Sequence, residues 1–450
     1  MKLRRRPFRS SERLVLFGYF LGFIALGAIL LALPFSWGGA DGRHRAAPVD
    51  ALFTAVSATC VTGLITVDTA QWSRAGQVVI LLLIQAGGLG IVTFGMLYLV
   101  LPRARIPLRN TKMLRESYLV EPTPRARQLI RSILGVTFTV EGIGAVLLIW
   151  AFCRAGVEAP VFAGVFHAVS AFCNAGFSVF SDGLLSYRSD VPVNLIVMTL
   201  IIVGGIGFVV IRDLRRKLRD WRRPLGFHSR LMLIAVPVFI VVGAAAYLAL
   251  DSTGAFSTLP PGRRVMAAFF QSVTTRTAGF NTVDQAALSH TSRWFTLVLM
   301  LIGGGSGSTA GGIKVSTAAI LIIVLFRGVD QRGDIRVLNR RISSEAVGRA
   351  AMFFLKAIAL LFVSIMVLGL LERPEQGGFT PAEIIFECVS ALGTVGLSQG
   401  ITPMLSVGGK MLIAATMFAG RVGLFSLVIR TARDRIESLI EYPVGEVLIG

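Results

Sequence analysis

Acidic residues are scarce in this chain. Its 450 residues hold 25 Asp and Glu against 45 Lys and Arg, a formal net charge of +20. Cysteine and histidine are scarcer still, at four each. Cys60, Cys153, Cys173 and Cys388 have no metal-ligand spacing and read as small apolar residues. His44, His167, His228 and His290 are scattered, and no His/Asp/Ser or paired-carboxylate constellation supports an enzyme. Two nucleotide-binding patterns are approached and missed. Gly305-x-Gly307-x-x-Ala310 mimics a dinucleotide fingerprint, but no strand precedes it. Ile313 separates Gly312 from Lys314, so a Walker A loop fails as well.

What the chain has in quantity is apolar sequence. It is 54% hydrophobic, with a mean hydropathy of +0.71, which places it in the membrane class. Eight segments are long enough to span a bilayer, which takes about 20 apolar residues. They are 14–33, 75–101, 132–152, 191–211, 231–250, 294–326, 350–371 and 411–429. Four carry a single charge each: Glu141, Lys314, Lys356 and Arg421. A positive balance could also mean nucleic-acid binding, but the charges are placed otherwise. The N-terminus, the linkers 102–131, 212–230 and 327–349, and the tail from 430 hold 31 of the 45 basic residues. Short Lys/Arg-rich loops stay in the cytoplasm, so both termini are expected there. The first span follows Lys2, Arg4, Arg5 and Arg6, and its length favours an uncleaved anchor over a signal peptide.

The other four linkers repeat one another. Reading back from Gly63, Gly176, Gly279 and Gly396, the sequences are ATCVTG, AFCNAG, TTRTAG and ALGTVG. Ten residues before each glycine stands Phe53, Phe166, Phe269 or Phe386, and an apolar residue follows each glycine. The glycines are 113, 103 and 117 residues apart, which indicates one structural unit used four times. An apolar run of roughly 12 residues precedes each glycine, too short to span. These runs read as re-entrant half-helices. Thr380-Pro381-Ala382-Glu383 has capping-box spacing, Pro160 and Pro261 suit a first helical position, and Asp50 could cap the first copy. The predicted architecture is all-α and integral to the membrane. Eight transmembrane helices form four span–half-helix–span units, 1–101, 102–211, 212–326 and 327–450, around one pseudo-fourfold pore.

Conducting an alkali cation requires replacing its hydration shell, which a ring of backbone carbonyls can do. Carbonyls facing one axis need unusual backbone angles, which glycine reaches at little steric cost. The candidate ion-binding loops are therefore Cys60, Val61, Thr62 and Gly63; Cys173, Asn174, Ala175 and Gly176; Arg276, Thr277, Ala278 and Gly279; and Gly393, Thr394, Val395 and Gly396. Arg276 has no counterpart in the other loops and is expected to brace its loop, with Glu383 or Glu387 as partner. The following spans carry glycine clusters at 87–90, 204–207, 303–307 and 420–423, where small residues let helices pack closely.

TTRTAGFNT at 274–282, GGGSGSTAGGIK at 303–314, GRVG at 420–423 and the fourfold unit resemble the Trk/Ktr/HKT superfamily of potassium transporters. The resemblance covers essentially the whole chain. Eight spans and the ending YPVGEVLIG are most similar to the membrane subunit of the Ktr branch. It implies potassium uptake, often sodium-dependent, by a homodimer with one pore per protomer. It also implies a cytosolic, KtrA-like ring of nucleotide-binding regulatory subunits. Potassium is then the substrate, sodium a coupling or activating ion, and no further cofactor is expected.

Two features below the loops stand apart. Gly303, Gly304, Gly305, Ser306, Gly307, Ser308, Thr309, Ala310, Gly311 and Gly312 cannot hold a firm helix. They are expected to form an intramembrane gate loop, with a static kink as the plainer alternative; Lys314 is expected to anchor it, with snorkelling toward the cytoplasm as the alternative. Arg421 should face the bundle interior, because a charge inside a span is costly. There it would lower ion occupancy below the loops; a structural salt bridge is the alternative. Glu141, Gln85 and Asn174 are candidates for pore or packing roles. The functional alternatives are a secondary transporter of another cation and an eight-span membrane enzyme or receptor. Inverted repeats would flip the charge bias between halves, and no clustered titratable groups support an enzyme.

Overall fold

The computed structural model describes residues 11–39, 44–100, 126–251, 254–257, 259–328, 330, 334–372 and 378–423. The basic N-terminus, most of the linker 102–131 and the ending YPVGEVLIG lie outside the described residues. The chain is predominantly helical. In order come α1 (Ser11–Ala32), α2 (Pro48–Cys60), α3 (Arg74–Val100), α4 (Ala126–Arg154), α5 (Pro160–Cys173), α6 (Val191–Ile206) and α7 (Phe208–Arg219). They are followed by α8 (Phe227–Leu250), α9 (Pro261–Thr274), α10 (His290–Leu301), α11 (Val315–Arg327), α12 (Ser344–Glu372), α13 (Pro381–Gly393) and α14 (Val407–Phe418). A π-turn, Ala419–Gly423, continues α14. One hairpin departs from the all-α expectation: Ile335–Val337 pairs antiparallel with Arg340–Ile342. Its turn residues, Leu338 and Asn339, both have positive φ, as a two-residue turn matching strand twist requires.

Five described helices, α1, α3, α4, α8 and α12, are long and apolar enough to cross a membrane, and α6 with α7 forms a sixth candidate bent by 99°. Their outward faces carry exposed Phe138, Val146 and Trp150 on α4, Val238 and Val242 on α8, and Phe362 and Leu370 on α12. Apolar side chains repeated along one helix face suit lipid rather than water. The expected span 294–326 is not continuous: α10 ends at Leu301, α11 begins at Val315, and the glycine-rich stretch between them is not helical. The last expected span is described only to Gly423.

The short helices start where local chemistry says they should. Pro48, Pro160, Pro261 and Pro381 each occupy the first turn, where the missing N–H costs nothing. Thr380 and Glu383 form the full capping box. Asp50 does not cap the first copy. The N-cap is Ala47, without a side-chain bond, and Asp50 lies inside the first turn. There it pairs with Lys410 of α14 at 3.0 Å.

Packing closes these elements on themselves. Helices α2, α5, α9 and α13 each pack on the long helix before them, α1, α4, α8 and α12. In addition α3 packs on α5, α6 on α9, α10 on α13, and α14 on α2. The last of these contacts returns to the first short helix, so the four short helices surround a common centre.

Candidate functional site: the four-glycine ring and the loop beneath it

At the centre the short helices end alike. Cys60, Cys173 and Gly393 are the last helical residues of α2, α5 and α13, and Arg276 lies just past the end of α9. The next residues, Val61, Asn174, Thr277 and Thr394, all have left-handed φ, at 56°, 58°, 67° and 51°. For β-branched residues this is a genuine outlier, sustained only when surrounding contacts over-determine it. Two residues later Gly63, Gly176, Gly279 and Gly396 have φ of 97°, 71°, 76° and 93°.

These glycines form one closed ring. A Cβ built on Gly63 would overlap the carbonyl oxygen of Ala175. On Gly176 it would lie 2.7 Å from the oxygen of Ala278. On Gly279 it would overlap that of Val395, and on Gly396 that of Thr62. Each loop thus sets a backbone oxygen against the glycine of the previous loop, and the fourth returns to the first. Any side chain at these positions would push the ring apart.

Serines that the repeat comparison passed over fix this geometry. Ser57 and Ser390 accept hydrogen bonds from Gly63 N and Gly396 N, both at 3.1 Å, and Ser170 donates to Phe177 O at 2.8 Å. Their common position six residues before the glycine was visible in three of the four copies. In the third, Thr274 donates to Phe280 O at 2.8 Å from one residue later. A second layer pins the segment after the glycine. His167 bonds Ser178 at 2.8 Å, Gln271 bonds Gln285 at 2.6 Å, and Glu387 accepts from Ser398 at 2.9 Å and from Thr402.

Glycines of the next helices bring them against the ring. A Cβ on Gly87, Gly204 or Gly420 would overlap the carbonyl oxygen of Thr59, Phe172 or Leu392, four residues before the ring glycine of their unit. The expected close packing therefore has a defined partner.

Beneath the ring lies the stretch 303–312. Gly303 N donates to Ile313 O at 2.8 Å, and Val315 N donates to Gly304 O at 3.0 Å, closing its base. Its outer bonds go to other units. Gly305 N donates to Gly205 O at 2.7 Å, and Phe208 N donates to Gly307 O at 3.0 Å. The Thr309 hydroxyl bonds the carbonyls of Phe172 and Gly204, both at 3.0 Å, and Asn174 Nδ2 at 3.2 Å. A Cβ on Gly311 would overlap Thr394 Oγ1, while Ser308 bonds Gly305 O at 2.7 Å within the loop. Lys314 donates to Ala310 O at 2.6 Å and Gly311 O at 3.4 Å, as an anchor would. Ser306 meets Ser316 at 2.9 Å.

Arg421 is buried, 3% exposed. Its Nη1 donates to Thr309 O at 2.5 Å and its Nη2 to Gly87 O at 3.4 Å. Among the described residues it forms no ion pair, so the salt-bridge alternative has no partner there. Thr309 thus joins the second unit through its hydroxyl and the fourth through its carbonyl, and these units lie opposite each other in the ring.

Arg276 does not meet the expected carboxylates. Glu383 is occupied by the capping box and Glu387 by Ser398 and Thr402. The Arg276 guanidinium instead lies 5.3 Å from the Phe239 ring, pointing back toward α8. Its nitrogens have no hydrogen-bond partner among the described residues. Glu141 accepts from Gln85 at 3.1 Å and faces the Cys173 thiol at 3.8 Å, behind the second loop.

Residues 38–439 match the TrkH family model, described as a cation transport protein. The chain is 37% identical to the potassium/sodium uptake protein NtpJ of Enterococcus hirae, over all of this chain and 99% of that one. It is 35% identical to the Ktr system potassium uptake protein B of Vibrio alginolyticus, covering 99% of this chain and 97% of the relative. The corresponding protein of Bacillus subtilis is 37% identical over 98% and 97%. Among solved structures, the potassium transporter TrkH of Vibrio parahaemolyticus superposes with a TM-score of 0.72 at 19% identity, over 96% of this chain and 86% of that one. That likeness is one of fold.

Proposed function

This chain belongs to the Trk/Ktr family of cation transport proteins, and from that premise we propose that it carries potassium into the cell through a central pore. It is an ion transporter and not an enzyme. The observation that carries the pore is the closed ring in which four glycines each face the carbonyl oxygen of the next loop. Those oxygens form the selectivity filter, replacing the hydration shell of the ion. Irregular backbone at membrane depth is tolerated where it lines such a path. The polypeptide crosses the membrane eight times in four like-oriented units, bounded as the repeats suggest, with both termini in the cytoplasm. Cyclic packing of the units is what a pore needs and what inverted halves would not give.

The stretch 303–312 is the gate. Thr309 joins opposite units, so the loop lies across the axis beneath the ring. Arg421 acts there in two ways: it latches the loop through Thr309 O, and its charge lowers ion occupancy below the filter. The relatives' names assign potassium to all three and sodium to one, which supports sodium as a coupled or activating ion. Names of the form "Ktr system" imply further subunits. We extend this to a homodimer served by a cytosolic, nucleotide-binding regulatory ring. Rescue of a potassium-uptake-deficient bacterium, with and without sodium, tests the assignment. Growth at limiting potassium is expected, and no rescue by a membrane-inserted protein would count against it.

A further inference from the structure

Helix α7 leaves α6 at 99° across a single residue, Gly207. Twelve residues at 1.5 Å rise make it roughly 18 Å long. With one residue between them, α7 cannot travel away from the end of α6. Its middle is fixed by a second contact: Ser229, in the first turn of α8, donates to Asp213 at 2.5 Å. With α6 along the membrane normal, as proposed above, a helix turned 99° from it lies along the membrane surface.

Its side chains suit that place. Ile211, Leu214 and Leu218 recur at helical spacing along α7, and Trp221 stands in the turn just past its end, with Lys217 Nζ 4.9 Å from its ring. The first two are half-buried, but Leu218 is 77% and Trp221 76% exposed. Arg215, Arg219, Arg222 and Arg223 stand exposed around them. Asp220 offsets one of these charges, pairing with Arg223 at 3.4 Å. An apolar stripe ending in tryptophan and framed by arginines matches the boundary between acyl chains and anionic headgroups. An acidic protein surface would engage the arginines but leave the Leu218–Trp221 stripe unexplained. The other end of α7 touches the gate, through Phe208 N and Gly307 O at 3.0 Å.

We propose that α7 binds anionic phospholipid headgroups of the cytoplasmic leaflet and thereby keeps the glycine-rich loop seated across the ion path. This assignment rests on the gate and topology proposed above. Lipid holds α7 on the surface, the Phe208–Gly307 bond is kept, and basal flux is low. Releasing α7 loosens that bond and raises flux.

The test uses the full-length protein in vesicles of phosphatidylcholine alone or mixed with phosphatidylglycerol. Trp221 contact is read as fluorescence quenching by brominated lipids, with Trp221→Phe subtracted. Stronger quenching by brominated phosphatidylglycerol than by brominated phosphatidylcholine is expected. Changing Arg215, Arg219, Arg222 and Arg223 to Gln should abolish that preference, by about fivefold in lipid affinity per charge removed. Lysine at the same four positions should keep it. Radioactive rubidium flux should be slower for the wild type with phosphatidylglycerol than without, and headgroup-independent in the Gln variant. Equal quenching by the two headgroups, or none, overturns lipid binding. A Gln variant that keeps the lipid preference but loses its response to an added regulatory subunit makes α7 a protein-docking face and also overturns it. Preserved quenching preference with flux indifferent to lipid overturns the coupling to the gate. Absence of rubidium flux in every vesicle would sink the transport assignment instead, while quenching still decides lipid binding.

Discussion

Single residues decide whether the ring exists. Gly279 has a positive φ, and a Cβ there would overlap Val395 O. Gly279→Ala should therefore open the ring and lower discrimination between potassium and sodium by more than about tenfold, since it disturbs the carbonyls that replace the ion's hydration shell. Competition of each ion against radioactive rubidium uptake measures this. Arg421→Ala removes the donor to Thr309 O and should raise rubidium flux several-fold. Arg421→Lys should fall between, because one ammonium cannot span Thr309 and Gly87 as a guanidinium fork does. Unchanged flux in the alanine variant would leave Arg421 a packing residue. The ring glycines, Lys314 and Arg421 were legible in the sequence because repeats and isolated charges in spans stand out. The partners of Arg276 were not: placing it needed the direction of a side chain, which no spacing encodes. The left-handed Val61, Asn174, Thr277 and Thr394 were hidden for a related reason. Residues of ordinary propensity take strained angles when packing over-determines them.

At the level of elements, two joints carry the architecture. The Asp50–Lys410 pair ties α14 to α2 where the cycle of helices closes. Both side chains are largely buried. Lys410→Met should cost about 1–3 kcal/mol by stranding Asp50, and Asp50→Asn with Lys410→Met should recover part of it. Thermal unfolding in detergent of the single and double variants would show this; equal midpoints would mean the pair adds nothing. The second joint is the stretch 303–312, the proposed gate. Removing Ser306, Gly307 and Ser308 deletes the bond to Phe208 of α7 and should raise unregulated flux by roughly tenfold, as clearing a constriction would. Flux equal to the wild type would reduce the stretch to a static kink. The break in 294–326 was legible from its glycine content. The break after Ile206 was not, because 191–211 reads as one continuous apolar run. Gly207 ends the helix at a φ of 104°, and its close approach to Ser306 O and the Phe208–Gly307 bond show what it meets there.

For the whole molecule, the sequence announces a repeat count and the structure supplies the order in which the repeats meet. Similar motifs at 63, 176, 279 and 396 could belong to four separate turns. What joins them is long-range packing, α3 on α5, α6 on α9, α10 on α13 and α14 on α2, which no local pattern states. The central claim is that the ring so formed strips and holds a potassium ion. The most direct measurement is rubidium uptake into vesicles by the purified wild type, with potassium or sodium as competitor, alongside the four single Gly→Ala ring variants. The account predicts that potassium competes far better than sodium in the wild type and that each substitution erodes that difference. Folded variants that keep the full difference would contradict it.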